Sequence, residues 1–332
     1  MSKLEPIWQH LPFHFKQNVV SNLDFKSRCQ LQICSKEEQS LVDSRQATID
    51  FLALELTEPT LDDPRKEFPA DINIRDKGVS TSRNFTEDDA IRQILNICGN
   101  NQKWKVMTLR IHVWNYNRGG LHFKFFKKFL AEINRRNIKL NVSHFEFPTT
   151  LHKKQHVNFV KTVNVDFLQT MSFDRVTDCS LTALFETDQW KKVKELKFTT
   201  IYEIKADWVL HVEKLDIRIK HLNGDTAGAL IENFLTKNFP RGSFMSIATY
   251  YPLHLQNILE NFPVTARNEN FDLKSITDSP IKTHFQEPLH TQRIRIRDRR
   301  NDIFIIICER CLAVIVCSVD EFEKDLIKFI QK

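Results

Sequence analysis

Between residues 86 and 251, a segment whose apolar side chains recur with helical spacing is followed, four times over, by one that approaches the two-residue alternation of a strand. "TEDDAIRQILNIC" opens with Thr86 and Asp89 in capping positions and continues with Ile91, Ile94, Leu95 and Cys98 on one stripe. "KWKVMTLRIHVW" then approaches strand alternation in Val106, Leu109, Ile111 and Val113. The order recurs in "FKFFKKFLAEINRRN" with "IKLNVSHFEF", in "LTALFETDQ" with "WKKVKELKFTTI", and in "TAGALIENFLTKNF" with "GSFMSIATYY". Each such helix and strand has one apolar face to cover, and laying helices on a sheet covers both. The expectation is an α/β fold of irregular helix–strand repeats, leucine-rich-repeat-like, with parallel strands on one face and helices behind. The consensus "LxxLxLxxN" is absent, so the repeat is irregular.

The end of the chain has a different pattern. "RIRIR", "IFIIIC" and "LAVIVC", separated by "DRRND" and "ER", read as an antiparallel meander closed by a short helix, "EFEKDLIKFI". Strict alternation in the first strand puts Arg293, Arg295 and Arg297 on one face and isoleucines on the other, a candidate partner-binding face. The run 303–317 carries Glu309 and Arg310 at its centre and falls short of the roughly 20 residues a bilayer span needs.

Near the front, "LPFHFKQNVVSNLDFKSRCQLQICS" (11–35) begins with Leu11-Pro12, where proline suits a first helical turn, and Phe15, Val19 and Leu23 follow at intervals of four. Asp24 and Ser27 are capping types, and Cys29 to Cys34 and Leu41–Val42 mark one or two more short helices. Lys16, Asn18, Asn22 and Asp24 interrupt the stretch and exclude a secretory signal. So few residues hardly bury three apolar faces among themselves, so some of that surface must meet a neighbour.

These residues resemble the F-box. Its anchor positions map without a gap onto Leu11, Pro12, Phe15, Val19, Val20, Leu23, Leu31, Ile33 and Leu41, within residues 8–48. Three positions depart from the family's habit: Phe25 where proline is frequent, Arg28 where leucine is usual, and Glu38 where tryptophan is common. The segment "ETDQWKKVKELKF" is similar to the FTH domain that accompanies F-boxes in adaptor-like proteins. The resemblance implies three parts: an F-box at 8–48, a Pro-rich, charged connector at 49–89, and an FTH-like recognition domain at 90–332. It also implies that the anchor residues bind a Skp-type linker protein and, through it, a cullin complex, while the C-terminal domain holds a protein substrate for ubiquitin transfer by partner subunits.

Nothing in the residues points to chemistry of the chain's own. Seven glycines form no phosphate cradle, and no nucleophile elbow occurs. Cys308 and Cys311 make half of a zinc or redox spacing with no second pair nearby, so they read as thiols at a hairpin turn. His152 and His156 lack the acidic partner of a metalloprotease helix and read as a solvated face. Asp62-Asp63 and Asp88-Asp89 read as turn and cap residues, so no catalytic, cofactor-binding or metal-ligating residue is assigned.

Seven cysteines without regular spacing suit reduced thiols, which suggests the cytoplasm or nucleus. The net charge of +6 is spread beside glutamates, which favours a solvated or protein-binding arginine face over a nucleic-acid one. The function expected is a non-catalytic ubiquitin-ligase adaptor. Two other readings stay open: a ligase-independent interaction module and a basic nucleic-acid-binding protein.

Overall fold

The leucines of "FLALEL", inside the stretch expected to connect two domains, are sealed: Leu52, Leu54 and Leu56 lie within a strand that has a neighbour on each side. The computed structural model describes residues 7–57, 70–99, 104–114, 121–147, 153–176, 178–200, 202–260, 288–295 and 301–318. Two compact units divide the chain, Met1–Leu168 and Gln169–Lys332.

The first unit opens with four short helices, α1 (Ile7–His10), α2 (Phe13–Asn22), α3 (Phe25–Gln32) and α4 (Lys36–Asp43). The chain then enters a sheet: β1 (Ala47–Thr57), β2 (Ala70–Asp76) and β3 (Val79–Phe85) precede α5 (Glu87–Cys98) and β4 (Trp104–Trp114). Helix α6 (Leu121–Arg136), β5 (Val142–Phe147) and α7 (Lys153–Val160) complete it. Strands β5, β4 and β1 run parallel, and β2 and β3 continue the sheet as an antiparallel hairpin. The 49–89 segment therefore contributes three strands rather than a connector. Its hairpin turns on Lys77 and Gly78, both at positive φ (48° and 79°), the two-residue turn that matches strand twist and is favoured by glycine.

The Thr86 hydroxyl accepts the Asp89 N–H and starts α5 where the capping pattern predicts. Phe125, Phe126, Phe129, Phe145 and Phe159 form the sealed aromatic core of this unit, with Phe145 and Phe159 stacked at 5.7 Å between centroids. His156 is buried among them, edge-on to Phe147 at 5.1 Å, and does not lie on a solvated face. His152 lies outside the described residues.

In the second unit β6 (Thr170–Val176), α8 (Asp178–Phe185), α9 (Asp188–Lys192), β7 (Glu195–Thr200), β8 (Lys214–Ile219), α10 (Gly224–Thr236), β9 (Phe244–Thr249) and α11 (Leu255–Glu260) come first. The hairpin strands β10 (Pro288–Arg295), β11 (Asn301–Cys308) and β12 (Cys311–Ser318) follow. Strands β6 to β9 are parallel, and β12, β11 and β10 extend the sheet from β9 as the expected antiparallel meander. The closing helix expected at 321–330 lies outside the described residues. Trp190 anchors this unit. It is fully buried, and its indole N–H donates to the Trp208 carbonyl at 2.7 Å, so the ring is sealed with its one polar group satisfied.

The fold is the mixed α/β arrangement expected, with N-terminal helices, parallel strands and a terminal meander. Among the described residues no helix is long and apolar enough to cross a membrane.

Candidate docking site on the N-terminal helices

Helices of four to ten residues are too short to hold themselves in water. Their ends are fixed by capping: Asp24 accepts the Ser27 N–H at 2.9 Å, and Ser35 accepts the Glu38 N–H at 3.3 Å. The Ser27 N–H also holds the Asp24 carboxyl below its ordinary pKa. Their shared core is small, with Val20, Leu41 and Val42 sealed and Trp8, Leu23 and Leu31 half-buried around them.

That core splits the predicted anchors into two sets. Val20 and Leu41 point inward and hold the helices together, while Leu11, Leu23 and Leu31 are half-buried. Pro12, Phe15, Val19 and Ile33 are exposed, Ile33 at 85% and Phe15 at 53%. On α2 the i, i+4 spacing of Phe15 and Val19 sets both on one outward stripe, while Val20, one residue on, turns inward. Phe13 and Ile7 are also exposed and were not among the predicted anchors; both flank Leu11-Pro12.

The three departures from the F-box habit each make or face a specific neighbour inside the unit. The Phe25 ring meets Trp104 of β4 at 4.9 Å between centroids. Arg28 is buried beside Asp76 at the end of β2; burial lowers the guanidinium pKa, and the Asp76 charge opposes that shift. Asp76 is buried too, and burial raises its carboxyl above the ordinary value while the Phe25 backbone N–H pulls it back. Glu38 accepts the Trp8 indole N–H at 3.1 Å. Lys77, at the hairpin tip, adds its ammonium to the Ser21 and Leu23 carbonyls at 2.8 and 3.1 Å, satisfying acceptors that α2 leaves at its end. The helices are thus fastened to the β2–β3 hairpin and β4, and they carry uncovered apolar side chains at Phe15, Val19 and Ile33.

The other predicted residues are placed as follows. Arg293 faces Asp302 of the neighbouring strand at 2.6 Å and lies over the Phe304 ring, with its side chain only 15% exposed. The Arg293 charge is therefore balanced by a carboxylate one strand away. Arg295 is opposite Asp302 in register, and Arg297 lies outside the described residues. Cys308 and Cys311 face each other across the β11–β12 turn, and burial pushes their thiols up to about 11 and about 12, so both stay protonated at neutral pH. Among the described residues no His, Cys, Asp and Glu cluster suited to a metal ion occurs.

A helical module with a sealed core and exposed apolar side chains, fastened to the strands beside it and continuous with a mixed α/β region, has the make-up of a two-part binding protein. Comparison with protein families gives the particulars. The F-box domain matches residues 8–49 and the FTH domain matches residues 121–263, so the chain is an F-box protein with a C-terminal FTH domain. The F-box supports a substrate-adaptor role in Skp–cullin–F-box ubiquitin ligases in general. No curated protein and no solved structure matches the chain.

Proposed function

We propose that this chain is a non-catalytic adaptor that docks on a Skp-type linker protein through Pro12, Phe15, Val19 and Ile33 and holds a protein target with its α/β region. The observation that carries the reading is the exposure of these side chains over a core that Val20, Leu41 and Val42 already seal. Apolar anchors at i and i+4 suit insertion into a groove, where a few buried side chains supply most of the affinity. Leu23, Leu31 and Leu41 contribute by holding the helices in register, and Leu11 by setting the start of α2. Ubiquitin transfer belongs to partner subunits.

The test is retention of a purified Skp-type protein on the immobilised full chain. Phe15→Asp with Val19→Asp abolishes retention while leaving the melting temperature unchanged, because both side chains face water in the free protein. Undiminished retention by the folded double variant would refute the docking surface.

A further inference from the structure

In the first unit the sheet ends on β3, and this strand keeps one backbone edge free. Lys77 and Gly78 form a two-residue turn, so Asp76 and Val79 beside it exchange both backbone hydrogen bonds, and the alternation of an antiparallel pair fixes the rest of the ladder. Val79, Thr81, Arg83 and Phe85 turn their N–H and C=O groups toward β2, while Ser80, Ser82 and Asn84 turn theirs away. Among the described residues these outward groups meet no backbone partner, and all three residues are exposed.

A free edge is a template for another strand, and most sheets blunt theirs with proline, an irregularity or charge. Strand β10, at the edge of the sheet in the second unit, has all three: Pro288 opens it, its register shifts between Pro288 and His290, and Arg293 and Arg295 recur along it. Strand β3 runs for seven residues with no proline, no glycine and no register shift, and Arg83 is its one charged side chain. What such an edge accepts is extended backbone.

The side chains select which backbone. When β3 is laid antiparallel on itself about a two-fold axis through Ser82, Ser82 meets Ser82 of the second copy, and Ser80 and Asn84 meet Asn84 and Ser80. Every outward N–H and C=O then finds an outward group. An axis through Ser80 or Asn84 instead would carry the pairing past the end of the strand. Between these pairs, at the closer-spaced positions of the ladder, Val79 meets Phe85 twice and Thr81 meets Arg83 twice. A β-branched residue opposite a ring is a favourable cross-strand pair, and it covers Val79, which is 40% exposed in the single chain. No like charges are set opposite each other. One strand further out, the row through Ser80 and Asn84 ends in Arg75 on one copy and Asp71 on the other, which are of opposite sign.

We propose that β3 is a self-association edge, through which two copies of the chain pair as antiparallel strands and continue the sheet across a two-fold axis at Ser82. A single strand pair is small beside the interfaces of permanent dimers, so the association is reversible and depends on concentration. It stands on the geometry of the edge and is independent of the adaptor reading.

Sedimentation velocity of the full chain at rising concentration tests it. Wild type passes from monomer to dimer. Ser82→Pro removes the outward N–H at the axis and leaves the β2 ladder intact, because that ladder does not use it; the variant keeps its melting temperature and stays monomeric. Ser82→Asp and Ser82→Lys each set like charges face to face and stay monomeric alone, whereas an equimolar mixture of the two dimerises, which keeps the test decisive should the proline variant lose its fold. Phe15→Asp with Val19→Asp dimerises as wild type does, so failure of the ligase docking and failure of this edge are read separately. Wild type that stays monomeric at every soluble concentration, or a dimer that the Ser82 variants leave unchanged, would overturn the proposal.

Discussion

The helices α1–α4 and the unit Gln169–Lys332 solve the problem of burial in opposite ways. In the second unit, strands such as β11 and β12 are buried along nearly their whole length, and Trp190 is sealed with its indole N–H satisfied. The four helices seal three apolar side chains, borrow Trp104, Asp76 and Lys77 from the neighbouring strands, and leave Phe15, Val19 and Ile33 in water. Burial that is complete serves stability. Burial left incomplete, in a segment otherwise capped and fastened, leaves apolar area of the kind a partner covers.

Substitutions that empty each core sharpen this contrast most. Trp190→Ala removes the largest fully buried ring of its unit and is expected to cost about 3–5 kcal/mol, whereas Val20→Ala, at the smaller core, is expected to cost about 1–2 kcal/mol. Denaturant unfolding read by far-ultraviolet circular dichroism distinguishes them, and equal costs would contradict the difference in the size of the two cores. Next in size is the fastening of the helices. Phe25→Ala is expected to lose roughly 1 kcal/mol of coupling to Trp104 in a double-mutant cycle with Trp104→Leu. Additive losses would show that the rings do not hold the module.

The smallest effect is an acid-side one in the first unit, away from both cores. Arg135 and Arg136 hold the Glu132 carboxyl down at about 2, below its ordinary 4.5, with the Arg135 hydrogen bond the largest cause. A depressed carboxyl contributes stability that is present above the ordinary value and lost as pH falls through 4.5 toward 2. The side chains are surface groups screened by water, so the melting temperature of Glu132→Gln should fall slightly less steeply than wild type over that window. Identical slopes would show that the ion pairs contribute nothing.

What could be read before any coordinates follows a physical line. Periodicity carries the long elements: α5 starts at its Thr86 cap, β4 holds the alternating pair Leu109 and Ile111, and the meander falls on β10, β11 and β12. The β2–β3 hairpin was missed because "DINIRDKGVSTSRNF" is polar on its outer strand and turns on Lys-Gly, a weaker signal than Asn-Gly. The leucines of β1 recur at every second position, Leu52, Leu54 and Leu56, but the prolines and charges that follow them in "TEPTLDDPRKEFP" dominate the composition of the segment and give it the look of a connector. Trp190, expected at the head of a strand, lies in the middle of the five-residue helix α9, because Thr187 accepts its N–H and starts a helical turn first.

At the candidate site the outward and inward anchors could not be separated from spacing alone. Val19 and Val20 are adjacent and chemically identical, and only the packing of α2 against Leu41 and Val42 divides them. Arg28 looked like an interruption of the family pattern because Asp76, the charge it lies beside, is far away in sequence. The FTH region carried a family resemblance, and that resemblance designates no chemical site.

Hydrogen–deuterium exchange of the full chain, with and without a purified Skp-type protein, tests the central claim most directly. The account predicts added protection over α2 and the α3–α4 turn at Ile33, with β11 and β12 unchanged. Protection confined to the strands, or none on α2 at saturating partner, would contradict it.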